Sequence, residues 1–254
     1  MFDSTQLATK YKSDWDRDGY AVIPGFLDAD EVAEVQAHID GLLNQTPSPL
    51  PPEHRFLEDI DRPESVKYLA RLSDYDPFFE ELQKSNRFIH LAEGLLGDGA
   101  VHQGVEWFNK CARIGKYTPP HQDGYYYKIE PNEGIHFWLA LDPVDEGNGC
   151  VRYIPGSHQR GLRPHVQGTL IGFSQSVADY SDDDEAQMRS TTLAPGDLLV
   201  HHTLAIHRAD PNTSNRERRA LGIVYYAAQA KVDIEKVKAY RNNVFKQWQK
   251  SGKM

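Results

Sequence analysis

The 254-residue sequence predicts a mainly β core with flanking helices. Three observations carry that expectation. Beyond about residue 100, short β-branched and aromatic runs alternate with turn clusters, the pattern of a β sandwich or barrel. Before that point, apolar residues recur at helical spacing. Beyond about 232 the chain returns to a helical pattern rich in Lys, Val and aromatics.

Residues 3–18 are polar, with Leu7, Tyr11 and Trp15 four apart on one helical face. Segment 19–24 is a short β-branched strand bounded by Gly19 and Pro24. Asp28 is placed to cap a helix over 31–43, whose apolar face is Val32, Val35, Ile39, Leu42 and Leu43. Residues 46–52 form a Pro-rich loop too brief to link domains. A further helical segment spans about 76–96 and ends at Gly97-Asp98-Gly99. Strands are then expected at 101–110, 134–141, 150–154, 197–202 and 221–227. The acidic run 182–185 is expected to be a solvated loop. With no internal repeat, one domain covers 1–254: a helical part about 1–99, a β core about 100–230 and a C-terminal helix about 232–250.

Composition narrows the function. At 39% hydrophobic and 26% charged residues the chain is globular. A net charge of −9 argues against non-specific nucleic-acid binding and against a polybasic membrane anchor. The central apolar run 137–141 is too short to cross a bilayer, and the first residues carry no secretory pattern. Two cysteines, Cys111 and Cys150, give no disulfide framework and fit a reducing, cytoplasmic setting. The expected partner is a small molecule, not nucleic acid or membrane.

Chemistry concentrates in His121-Gln122-Asp123, in His207, 84 residues after Asp123, and in Arg218, 11 further on. Two imidazoles and one carboxylate suit a ferrous ion that keeps open positions, and the absence of thiolate disfavours structural zinc. If His121 and Asp123 lie on a strand, they point to the same side. Arg218 offers a planar fork for a dicarboxylate; Arg216 and Arg219 compete, and Arg219 would face the opposite way on a strand. His201 and His202 sit inside an expected strand and read as hydrogen-bonded core or surface histidines rather than ligands. Tyr125, Tyr126, Tyr127 and Lys128 follow the motif and would line a pocket mouth, with Tyr126 facing inward. His158 shapes a turn, and His165 shapes another or approaches the substrate. Residues 168–188 form a long connection of the kind that carries specificity, with Phe173 and Gln175 as candidates to face the substrate.

These blocks, with 138–158, 195–202, 207–212, Arg218-Arg219 and the opening run 18–27, resemble the phytanoyl-CoA dioxygenase family over about 15–227. The resemblance implies a double-stranded β-helix (jelly-roll, cupin-like) core that uses Fe(II), 2-oxoglutarate and O2, with ascorbate as reductant. It makes His121, Asp123 and His207 the iron ligands and sets Arg218 on the far carboxylate of 2-oxoglutarate. Trp138 matches a position lining the cosubstrate pocket; Gln103, Asn109 and Lys110 match a stretch touching it. Many relatives carry a small hydroxyl residue two after the distal His; here that position is Ala209, and Tyr126 is a candidate substitute donor. The implied reaction hydroxylates an unactivated C–H and releases succinate and CO2. Asp123 favours hydroxylation over halogenation, which in relatives goes with loss of that carboxylate. The alternatives are a non-oxidative metal-dependent jelly-roll hydrolase or isomerase, and a catalytically silent binding domain. Arg218 speaks against the first, and the intact residue set against the second. Lys128, Arg163 and His165 point to a small polar or anionic substrate, and the short chain argues against a coenzyme A site.

Overall fold

The computed structural model describes residues 4–46, 48–167 and 175–240. Helix α1 (Ser4–Asp18) buries Leu7, Ala8 and Trp15 and leads into β1 (Tyr20–Ile23). Helix α2 (Ala29–Leu43) opens on a capping box. The Asp28 carboxylate accepts from the Glu31 amide, and the Glu31 carboxylate from the Asp28 amide, both at 2.9 Å. The Pro-rich stretch continues into two strands absent from the sequence reading, β2 (Arg55–Leu57) and β3 (Val66–Leu69). The segment expected as one helix over 76–96 is two, α3 (Pro77–Lys84) and α4 (Asn86–Leu96). Ser85, at φ −65° and ψ 140°, leaves the helical region and breaks them. Gly97 ends α4 in the left-handed region, at φ 73°.

The β region follows with β4 (Ala100–Lys110), β5 (Thr118–His121), the one-turn α5 (Gly124–Tyr127), β6 (Ile129–Glu130), β7 (Gly134–Ala140), β8 (Val151–Tyr153), β9 (His165–Gln167) and β10 (Gln175–Val177). Then come α6 (Asp182–Gln187), β11 (Arg189–Ser190), β12 (Leu198–His202), β13 (His207–Ala209), β14 (Arg218–Ala227) and β15 (Lys231–Val232). Residues 234–240 are helical; the rest of the expected C-terminal helix, 241–250, lies outside the described residues, as does Phe173.

The acidic run 182–185 is a helix, not a solvated loop. Ser181 Oγ accepts from the Asp184 amide, and the Asp184 carboxylate from the Ser181 amide, forming a capping box. Carboxylates in a first turn also suit the positive end of a helix. Asp184 is buried and holds Arg163 at 2.9 Å.

The strands form two main antiparallel sheets, in the orders β1-β12-β7-β14-β4-β3-β2 and β11-β8-β13-β5. Strand alternation sorts the side chains of the large sheet. Phe137, Leu139, Val200, Leu221, Ile223, Tyr225 and Trp107 join Trp15, Val35, Phe88 and Leu91 in one helix-backed core. Trp138, Ala140, Leu199 and Ala220 point the other way and pack with Val151 and Tyr153 of the small sheet. Covered on both faces, β7 and β12 are buried at every residue. The result is the expected jelly-roll, with a polar site between its sheets.

Candidate active site

β5 and β13 are neighbours, and His121 pairs directly with His207 across them. Their ring centroids are 4.1 Å apart. Asp123 does not join them by strand alternation, as expected from the sequence. β5 ends at His121, and Asp123 takes helical angles (φ −59°, ψ −34°) at the start of α5. That turn carries its carboxylate back, so Asp123 Oδ1 lies 3.5 Å from His121 Nε2 and 3.8 Å from His207 Nε2. One donor atom from each of the three lies within 4.8 Å of the others, and all three residues are buried. Gln122 points away and pins the motif. Its amide donates to Gly161 O (2.9 Å) and Leu204 O (2.7 Å), and its Oε1 accepts from the Arg163 amide (2.8 Å).

The surrounding hydrogen bonds set the tautomers. His121 Nδ1 donates to Pro119 O at 2.8 Å, and His207 Nδ1 donates to Ala205 O at 3.0 Å. A carbonyl only accepts, so both Nδ1 atoms carry hydrogen and both Nε2 lone pairs turn toward Asp123 Oδ1. Asp123 Oδ2 accepts from His136 Nδ1 (2.9 Å) and His201 Nε2 (3.0 Å), which leaves Oδ1 for the ion. Tyr153 Oη in turn donates to His201 Nδ1 at 2.9 Å. Asp123, His136 and His201 are also close enough to ligate a metal. There, however, the nitrogens facing the carboxylate are occupied as donors, so only the first trio fits an ion. His201 is thus a hydrogen-bonded core histidine, as expected, and its partner is the Asp123 carboxylate. His136 was missed by sequence reading; its only signal is that it shares the inward face of β7 with Trp138.

Charge follows the same logic. Burial opposes ionisation of Asp123, but the facing His207, then His121, His136 and His201, outweigh it and hold the carboxyl well below its usual range. Burial, then the neighbouring His121, pushes His207 well below the ordinary histidine value. Burial also takes His201 down to about 4. An ionised Asp123 beside a His207 that burial keeps neutral is the state a divalent cation requires.

Arg218 is buried on the inward face of β14, directly across from Lys110 of β4. Its Nη1 donates to Gly149 O at 3.0 Å, its guanidinium lies 5.0 Å from the Trp138 ring centroid, and its Nε has no partner. Burial lowers Arg218 to about 10; burial, then Arg218 itself, lowers Lys110 to about 7. Lys110 Nζ donates to Lys116 O and to Thr118 Oγ1. Neither cation forms an ion pair with a carboxylate among the described residues. Arg219 faces the other way, held by Asp142 at 2.8–2.9 Å, and Arg216 is paired with Asp145. Ala209 sits opposite Thr118 in the small sheet, so a hydroxyl is supplied from the neighbouring strand.

Two expected cosubstrate contacts are not there. Alternation along β4 turns Lys110, Phe108 and Glu106 inward and Asn109 outward, where its amide donates to Val66 O and Glu217 Oε2. Gln103 is exposed and donates to Val101 O.

Around the open side, Tyr126 sets its ring 6.0 Å from that of His121. Its buried hydroxyl, beside the Gln175 backbone, makes no hydrogen bond of normal geometry. Gln175 itself is buried on β10. Tyr125 stacks on His165 at 4.4 Å and carries Lys128 Nζ 3.6 Å over its ring. Tyr127 packs on Tyr226. Arg163, expected near the substrate, is instead taken by Asp184 and Asp179. His202 donates to Glu133 at 3.0 Å, beside His158 and Trp15, on the side away from the trio.

Known proteins resemble this chain in sequence and fold. A family model described as "Phytanoyl-CoA dioxygenase (PhyH)" matches residues 15–220. A phytanoyl-CoA dioxygenase of Arabidopsis thaliana is 26% identical, over 81% of this chain and 83% of its own. The peroxisomal enzyme of Mus musculus is 24% identical, over 86% and 68%. The solved epimerase SnoN, in complex with Fe3+, alpha ketoglutarate and nogalamycin RO, is 25% identical, with a TM-score of 0.72 over 89% of this chain and 86% of that one. The alpha ketoglutarate dependent carbocyclase SnoK, at 24% identity, superposes with a TM-score of 0.75 over 91% and 88%, a likeness of fold. The chain belongs to the phytanoyl-CoA dioxygenase family.

Proposed function

We propose that the protein is an Fe(II)- and 2-oxoglutarate-dependent oxygenase that hydroxylates a C–H bond of a small metabolite. His121 Nε2, Asp123 Oδ1 and His207 Nε2 would hold the metal, and Arg218, with Lys110 and Thr118 beside it, the far carboxylate of 2-oxoglutarate. The observation that carries this reading is the pairing of two features between the same sheets. One is a trio of buried ligand atoms from His121, Asp123 and His207, all within 4.8 Å of one another; the other is a buried guanidinium whose Nε lacks a partner. A dicarboxylate bridges them chemically, with one end at the metal and the other neutralising Arg218. A non-oxidative metalloenzyme has no use for the second feature.

When bound, the metal and 2-oxoglutarate supply oxidising power from O2, with release of succinate and CO2. The chain supplies the rest. The Pro119 and Ala205 carbonyls fix the imidazoles, His136 and His201 hold one oxygen of Asp123, and Trp138 covers the guanidinium. Hydroxylation is the outcome favoured by the retained Asp123. Ascorbate would serve as reductant. No helix among the described residues is long and apolar enough to cross a membrane; a cytoplasmic location remains our proposal.

The test is succinate release from 2-oxoglutarate by purified protein with Fe(II) and ascorbate, with and without a metabolite extract. Iron-dependent succinate and a product heavier by one oxygen are expected. No iron-dependent succinate in either condition refutes the oxygenase reading. Succinate accompanied by a product of altered connectivity and no added oxygen refutes hydroxylation alone.

A further inference from the structure

The inward face of β4 carries a second feature besides Lys110. Glu106 and Phe108 point between the sheets, and Tyr68 of β3 pairs with Phe108 across the ladder. The Tyr68 and Phe108 rings are 5.2 Å apart, and Phe108 and His136 are 5.9 Å apart. Gly222 of β14 lies opposite Glu106. A Cβ there would meet Phe108 Cε2 at 2.6 Å and His136 Nε2 at 2.7 Å, so glycine keeps the gap between them clear. Tyr127 of α5 approaches from the metal side, within electrostatic reach of Glu106 and Asp123. Glu106, Phe108, Tyr68 and Tyr127 face inward and are mostly buried, each keeping only part of its surface in contact with solvent.

Besides the hydroxyls of Tyr68 and Tyr127, two polar side chains face this recess. Burial raises the Glu106 carboxyl above its usual range, Tyr68 hydrogen-bonds to it, and no Lys or Arg forms an ion pair with it among the described residues, so the carboxylate form calls for a cation beside it. His136 gives its Nδ1 hydrogen to Asp123, and its other ring nitrogen, the buried Nε2, has no hydrogen-bond partner. A carboxylate and a bare imidazole nitrogen, walled by aromatic faces, match a cation that has N–H groups to give. From this geometry we infer that the recess takes a protonated amine of the substrate, donating to Glu106 and to His136 Nε2 between the rings of Tyr68 and Phe108. The inference rests on the oxygenase reading of the adjoining metal site. It replaces the anionic preference drawn from Arg163 and Lys128, since Arg163 is neutralised by two aspartates and Lys128 lies over Tyr125.

The test is calorimetric titration of the protein with propylamine through octylamine, their matched alcohols and carboxylic acids, and their N-trimethylated forms. It is run anaerobically, with and without Fe(II) and 2-oxoglutarate. Amines are expected to bind at least about tenfold more tightly than alcohols or acids, and trimethylated forms less tightly for want of an N–H. Glu106→Gln should erase the amine advantage while keeping iron-dependent 2-oxoglutarate binding, which also reports folding. Glu106→Lys should shift preference to the carboxylic acids. Amines binding no better than alcohols, or Glu106→Gln keeping the advantage, overturns the inference. Absence of 2-oxoglutarate binding in the unaltered protein overturns the underlying reading instead.

Discussion

Replacing Arg218 with Met should raise the stability of the metal-free protein while abolishing its response to 2-oxoglutarate. Burial lowers the guanidinium from its usual value to about 10. That shift corresponds to about 3 kcal/mol against the charged form in the folded state. Its compensation without ligand is one hydrogen bond to Gly149 O, worth about 1 kcal/mol, and the Trp138 ring, worth about another. Met fills similar space with no charge, so the variant should gain about 1 kcal/mol, or ~2–4 °C in a chain this size. With Fe(II) and 2-oxoglutarate the order should reverse. Losing a forked, charge-assisted contact to the carboxylate should weaken 2-oxoglutarate binding by at least about 100-fold. Thermal denaturation with and without the two ligands, run anaerobically, reads both effects. A variant that is strongly destabilised alone yet still stabilised by 2-oxoglutarate would refute the reasoning, because Arg218 would then be a structural cation.

Three further outcomes follow from the same geometry. Arg219→Ala should leave 2-oxoglutarate affinity unchanged and lower stability by no more than about 1 kcal/mol in urea denaturation, since it breaks a half-exposed pair with Asp142. His201→Phe should weaken Fe(II) binding about 10- to 100-fold in a direct metal titration, because it removes one of two donors that hold Asp123 Oδ2. The metal-free protein should lose stability as pH falls from about 6.5 to about 4. Burial lowers His201 to about 4, so the unfolded chain takes up the proton first. This one group contributes about 1.4 kcal/mol per pH unit across that window, checked by urea denaturation at stepped pH.

What the sequence disclosed depended on how each segment is buried. β7, β12 and β14 could be read because both faces are covered and their apolar runs are nearly continuous. β5 could not: Thr118-Pro119-Pro120-His121 contains two residues without an N–H, tolerated because β5 is the edge of its sheet. β2 and β3 are short, and their place in the large sheet comes from long-range pairing with β4. At the site, residue types were legible and directions were not. Asp123 reaches the histidines through a helical turn, a rotation that no spacing rule contains. Asn109 shares a stretch with Lys110 but falls on the opposite face. Arg163, expected near the substrate, is neutralised by Asp179 and by Asp184, whose place in a capped helix a run of acidic residues does not disclose. His136 was invisible inside an apolar strand, although it bonds a candidate metal ligand and lines the recess.

The central claim, that His121, Asp123 and His207 jointly hold a metal on which 2-oxoglutarate binds, is tested most directly by equilibrium titration without oxygen. Unaltered protein should bind one Fe(II) per chain, and 2-oxoglutarate only when Fe(II) is present. Asp123→Ala and His207→Ala should each lose both. Binding of 2-oxoglutarate without metal, or full Fe(II) binding by either variant, would contradict the claim.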